Sequence, residues 1–91
     1  MLTLKTTSRF RKDYKLAKKR KLDISLLEAV IDTLLAEKSL ALKHQDHALT
    51  GDYSGFRECH ILPDWLLIYC IDKEMLILLA ARTGTHADLF D

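Results

Sequence analysis

"FRECHILPDWLLIYCIDKEMLILLAAR", residues 56–82, decides the fold of this chain. It holds three apolar stretches, at about 56–62, 65–71 and 75–82, separated only by "PD" and "DKE". Connections that tight join antiparallel strands, so the C-terminal half is predicted to be a three-stranded meander. The last stretch, "MLILLAA", runs directly into "RTGTHADLF", residues 82–90, where an arginine, a glycine turn and a histidine follow in quick succession. A strand that only has to stop requires no such residues.

Upstream of the meander, residues 38–55 keep no sustained period, and Gly51 and Gly55 mark turns. Irregular segments held on a rigid scaffold are where function concentrates, so this is a candidate functional loop. Before it, Leu27, Val30, Ile31, Leu34 and Leu35 recur at helical spacing as one apolar stripe. "SLLE", residues 25–28, fits a capping box at the start of that helix. An earlier helix is predicted from Phe10, Tyr14 and Ala17, with Thr6, Thr7 and Ser8 as candidate N-cap hydroxyls. The short link around Leu22 and Asp23 makes the two helices an antiparallel hairpin. "LTLKT", residues 2–6, alternates apolar and polar as a short strand does. The order strand, helix, helix, three strands predicts a two-layer α+β fold. In it the N-terminal strand and the meander form a four-stranded sheet, the hairpin covers one face, and the other face is left available.

Ninety-one residues with 48% hydrophobic content, three Gly and one Pro describe a single domain, residues 1–91. The apolar runs are too short to span a bilayer, and "MLTLKTTSRF" lacks the apolar segment of a signal peptide. A cytoplasmic location without membrane contact is expected. Cys59 and Cys70 flank the "PD" turn, where a cross-strand disulfide is geometrically conceivable. In a cytosolic chain without a cysteine framework, reduced and partly buried thiols are the expectation.

The formal net charge of +1 conceals a strong segregation. Residues 9–21, "RFRKDYKLAKKRK", hold eight of the 14 Lys and Arg against one acid, Asp13, for a local charge of +7, and the remainder carries −6. A basic face of this kind suits nucleic-acid phosphates, with Arg11, Lys15, Lys18 and Lys19 as candidate contacts. A solvated amphipathic helix is the plainer account of the same residues.

Chemistry-bearing residues gather where strands and loops end. His47 lies in "QDHALTG", His60 near the end of the first meander strand, Asp64 in the turn beside Trp65, and His86 just beyond Arg82. Singly, each has an ordinary reading: half-buried histidines, a turn aspartate, a surface arginine and a packed tryptophan. His44, beside Lys43, reads as surface. Jointly, imidazoles, a carboxylate and a guanidinium supply what metal-independent phosphodiester cleavage needs, namely a base, an acid and a fixed cation for the phosphate. RNA brings its own nucleophile in the 2′-hydroxyl. The competing use of His47, His60, Asp64 and His86 is a metal site, but no HExxH or other ligand spacing supports it, and Arg82 would repel the cation. No cofactor is expected.

"QDHALTGDYSGFRECHILPDWLLIYCID" and "ARTGTHADLF" closely resemble the YafQ branch of the RelE toxins, the toxin half of bacterial type II toxin–antitoxin pairs, over essentially the whole chain. That resemblance implies a RelE-like fold and a ribosome-dependent mRNA interferase acting in the 30S A site. It implies as partners ribosomal RNA, messenger RNA and a cognate antitoxin of DinJ or RelB type. It assigns functional roles to His47, His60, Asp64, Arg82, His86 and the terminal aromatic Phe90, with Arg82 directed at the scissile phosphate and His86 as general acid. Phe90 would stack on a base or pack on the core, and Trp65 is a candidate for base contact. His47, His60 and Asp64 all remain candidates for the general base. A non-catalytic binding module of the same fold is the alternative, although such a module has no need for this polar cluster.

Overall fold

The computed structural model describes residues 1–90. The chain forms strand β1 (Thr3–Thr6), helices α1 (Ser8–Lys19) and α2 (Ile24–Leu35), strand β2 (His47–Ala48), strands β3 (Arg57–Leu62), β4 (Trp65–Asp72) and β5 (Ile77–Gly84), and helix α3 (His86–Phe90). Two single 3-10 turns, Leu42–His44 and Gly51–Tyr53, flank β2.

The meander is present, with β3–β4 and β4–β5 both antiparallel. The sheet is nevertheless five-stranded and mixed, in the order β1-β5-β4-β3-β2, not the expected four-stranded one. The extra strand is two residues long: His47 pairs with Glu58 and Ala48 with Arg57. A pair of residues carries no readable period, which is why the sequence pattern missed it. β1 runs parallel to β5, since the helical hairpin brings the chain back across the layer before the meander begins.

Local chemistry sets the helix ends. Thr7 Oγ1 accepts from Phe10 N at 2.9 Å and caps α1. Asp23, not the expected Ser25–Glu28 box, caps α2, because that helix starts two residues earlier than the box requires and the Asp23 carboxylate accepts from Ser25 N at 3.1 Å. Both helices close with left-handed residues, Lys21 (φ 60°) and Glu37 (φ 58°), whose amides bond back to Lys18 and Leu34 carbonyls.

β4 is buried on both faces over residues 65–69, and its alternation divides two clusters. Trp65, Leu67 and Tyr69 face the helices and pack with Phe10, Leu27 and Leu78 in the main core. Leu66 and Ile68 face the opposite way into a smaller cluster with Ala81 and Leu89, flanked by Leu49, Tyr53 and Phe56. The second face is therefore partly covered by the loop and α3, and the uncovered remainder holds the polar residues described below. Trp65 is 2% exposed and its indole Nε1 donates to Thr83 Oγ1 at 2.9 Å, so of its two sequence readings, packing and base contact, the packed one describes this structure.

A bulge in β5 governs one functional side chain. Ile68 pairs with Arg82 and Tyr69 with Ala80, so Ala81 is an extra residue. Without it Arg82 would share the parity of Leu78 and Ala80 and face the core. The bulge moves it to the other side of the sheet.

Cys59 is opposite Leu67 and Cys70 opposite Leu79, so no cross-strand pair exists and both thiols are free. Burial, and secondarily Asp46 and Glu58, push the Cys59 thiol up to about 12. No helix among the described residues is long and apolar enough to cross a membrane.

Candidate active site

Strand parity and a tight turn bring the histidines together. On β3, Glu58 and His60 are two residues apart and share the face away from the helices. His47 on β2 stands opposite Glu58. The result is a row in which one buried carboxylate oxygen, Glu58 Oε1, lies 3.6 Å from His47 Nε2 and 3.7 Å from His60 Nε2.

The "PD" turn and α3 complete the row. Asp64 Oδ1 accepts from the backbone N of His86 at 3.0 Å and from its Nδ1 at 2.8 Å. These two bonds, the backbone one foremost, hold the Asp64 carboxyl below its ordinary range. An ionised carboxylate on Nδ1 fixes both the orientation and the tautomer of His86, with Nε2 left for other work. The His86 ring lies 5.9 Å from that of His60, centroid to centroid.

The other imidazoles are oriented in the same sense. His47 Nδ1 is 2.7 Å from the Gln45 carbonyl and His60 Nδ1 is 3.1 Å from that of Pro63. Carbonyl oxygens only accept, so each Nδ1 carries the hydrogen and each Nε2 is a base when the ring is neutral and an acid when it is charged. His44, expected at the surface, instead donates from Nδ1 to the His60 carbonyl at 2.6 Å and anchors the loop against β3.

α3 is positioned by its own cap. Thr85 Oγ1 accepts from Asp88 N at 3.1 Å while Asp88 accepts from Thr85 N at 3.0 Å, a reciprocal box over "THAD". Arg20, at the C-terminal cap of α1, grips the same carboxylate at 2.7 Å. Arg20 first, and the Thr85 amide next, hold Asp88 down to about 2. Gly84 lets the chain turn here, since a Cβ would sit 3.0 Å from Asp88 Cβ.

Arg82, expected to be directed at a phosphate, is anchored within the protein along one edge. Its guanidinium turns to Asp13 of α1, with Nε at 2.8 Å and Nη2 at 3.2 Å from the carboxylate. Phe90 is 45% exposed and stands 6.3 Å from the His86 ring and 5.7 Å from Tyr53, so it borders the site and is not core. Lys15, Lys18 and Lys19 are exposed on α1, in the helical layer across the sheet from the histidines. Arg11 is tied to Thr6 at 2.9 Å. The basic helix and the histidine row are thus separate surfaces.

His47, His60, Asp64 and His86 converge as expected, with Arg82 and Phe90 at their border. Sequence reasoning missed Glu58, which the Glu-x-His spacing on a strand could have revealed, and it passed over Asp13, the one acid of the basic run. Among the described residues no group of three or more His, Cys, Asp or Glu is arranged to hold a metal ion. Chemically, the row offers imidazoles that can give or take a proton and a carboxylate that orients one of them.

Comparisons with known proteins agree with this fold. The family model described as the bacterial toxin of type II toxin-antitoxin system, YafQ, matches residues 2–91. The mRNA interferase toxin YafQ of Escherichia coli K12 is 42% identical over 86 residues, covering 92% of this chain and 90% of the relative. A metal-bound toxin from Helicobacter pylori is 44% identical, covers 99% of this chain and 100% of its own, and superposes with a TM-score of 0.94. The toxin chain of the E. coli DinJ-YafQ complex is 36% identical, with full coverage of both chains and a TM-score of 0.91.

Proposed function

This chain belongs to the YafQ family of bacterial type II toxins, and on that premise we propose that it is a ribosome-dependent mRNA endoribonuclease. The observation that carries the reading is the His60–His86 pair, with rings 5.9 Å apart and each Nδ1 engaged by an oxygen, Nε2 of His60 lying 3.7 Å from Glu58 Oε1. His60 removes the proton of the 2′-hydroxyl, whose oxygen attacks the adjacent phosphorus. The P–O5′ bond breaks, and His86, charged and oriented by Asp64, protonates the departing 5′-oxygen. The products are a 2′,3′-cyclic phosphate and a 5′-hydroxyl, and water is not consumed in this step. Arg82 supplies a fixed positive charge for the phosphate oxygens. His47 shares Glu58 with His60 and contributes a third imidazole to the phosphate-binding face. Asp64 serves as the orienting group, because a carboxylate held in the ionised form by two hydrogen bonds is a poor base.

No metal enters this mechanism. Acting in the cytoplasm as a single domain, the toxin positions messenger in the 30S A site, where Arg11, Lys15, Lys18 and Lys19 contact ribosomal RNA phosphates and Phe90 stacks on a base. A cognate antitoxin, by analogy with the DinJ-YafQ complex, holds it inactive. Primer extension on a defined message in a reconstituted translation reaction tests the proposal. Wild type should cut only when ribosomes are present, and a folded His86→Ala chain should not cut. Undiminished cutting by folded His86→Ala would refute the role of His86, and no cutting by wild type under any ribosome condition would favour a non-catalytic binding module.

A further inference from the structure

We propose that Asp13 is a positioning residue for cleavage, acting through Arg82; this rests on the reading just given. Asp13 is the single acid among residues 9–21, in a helix that otherwise maximises positive charge. A surface suited only to RNA phosphates gains nothing from a carboxylate there, and Asp13 is not on the solvent side. Its side chain is 13% exposed, as is that of Arg82.

The contacts define what it does. β1 stops pairing at Thr6, opposite Ala80, so the outer edge of β5 beyond that point lacks a neighbouring strand. Asp13 takes the place of one: Oδ2 accepts from the Thr83 amide at 3.2 Å and from Arg82 Nε at 2.8 Å, while Oδ1 accepts from Nη2 at 3.2 Å. A guanidinium has two usable edges. Asp13 occupies the Nε–Nη2 edge, so a phosphate would be met by the Nη1–Nη2 edge of a guanidinium that also has the Tyr53 hydroxyl as a neighbour. The bulge at Ala81 sets the face of the sheet from which Arg82 departs, and Asp13 sets its rotamer. An arginine otherwise free in four torsions is thereby held before substrate arrives, which is where positioning accelerates a reaction.

The role differs in sign from that of an ordinary surface acid. If Asp13 merely offset the charge of the helix, Asp13→Asn would tighten RNA binding and leave the chemical step untouched. As a positioning residue, its loss should lower kcat on the order of 10²-fold with a much smaller change in KM.

The test measures single-turnover and steady-state cleavage by Asp13→Asn, Asp13→Glu, Arg82→Ala and the double variant Asp13→Asn/Arg82→Ala. Asp13→Asn should lose kcat, Asp13→Glu should recover part of it, and the double variant should be no slower than Arg82→Ala alone. An NMR readout independent of activity accompanies these rates: the Arg82 Nε–H resonance should be protected from exchange in wild type and lose that protection in Asp13→Asn. Should Asp13→Asn fail to fold, Asp13→Glu decides by the same two readouts. Unchanged kcat with tighter binding, or additive losses in the double variant, would overturn the proposal alone. Absence of cleavage by wild type would overturn the functional reading and this inference together.

Discussion

A single methyl group at Gly84 should uncouple His86 from the rest of the site. An alanine Cβ there would lie 3.0 Å from both Cβ and Oδ2 of Asp88, closer than side-chain carbons approach one another, and the backbone has φ +156°. The misfit costs about 1 to 3 kcal/mol if the backbone conformation is kept. Displacing Asp88 also opens the reciprocal cap with Thr85, which is worth about 1 kcal/mol. Against this, α3 is docked chiefly by Leu89, which is 7% exposed and whose burial contributes about 2 kcal/mol. The solvent-exposed Arg20–Asp88 pair is screened by water and adds little to this. The opposing quantities are of similar size, so Gly84→Ala should leave α3 undocked in a large share of molecules while the main core, which does not include it, stays folded. Amide exchange at Leu89, whose N–H bonds to the Thr85 carbonyl at 3.1 Å, should accelerate, and cleavage should fall at least tenfold with little change in Tm. Cleavage within twofold of wild type, with Leu89 still protected, would refute the reasoning.

Three further outcomes are expected. Trp65→Phe should lower stability by about 1 kcal/mol, from the lost bond to Thr83, and leave ribosome affinity unchanged, as thermal melts and filter binding would reveal; lost affinity at full stability would restore Trp65 as a base-stacking residue. Because Asp88 is depressed to about 2, its tether is fully present above the unfolded carboxylate range near pH 4 and is lost as pH falls toward 2, removing on the order of 1 kcal/mol after allowance for solvent screening. Exchange at α3 amides should rise over that window in wild type, and Arg20→Ala should shift the rise to higher pH. Finally, removing divalent ions from the toxin with a chelator, before adding it to ribosomes in their own magnesium buffer, should not alter its cleavage rate. A loss reversed by added copper or zinc would contradict the metal-independent mechanism, a pointed test given the metal-bound relative.

What could be read from sequence follows from the range of the interactions involved. The meander was legible because "PD" and "DKE" leave room only for tight turns, and α2 because its apolar stripe runs for two full turns. β2 was not, since two residues have no period and pair only through Glu58 and Arg57. For Trp65 the sequence leaves packing and base contact both open, because β4 is apolar on both faces and nothing in the chain says which parity meets the helices. α3 carried a readable cap in "THAD" that was passed over. The histidine row was recognisable by type and by resemblance, yet the arrangement that gives it direction depends on tertiary structure: Asp64 reaches His86 across 22 positions and Asp13 reaches Arg82 across 69.

The most direct test of the central claim is the chemistry of the cut itself. A message carrying one 2′-deoxynucleotide at the mapped scissile position is translated with the wild-type toxin, and the ends produced from the all-ribose control are identified by mass spectrometry. The account predicts 2′,3′-cyclic phosphate and 5′-hydroxyl ends from the control, and no cut at the deoxy position. Cutting that persists at the deoxy position, or ends bearing a 5′-phosphate, would contradict attack by the 2′-hydroxyl and with it the roles assigned to His60 and His86.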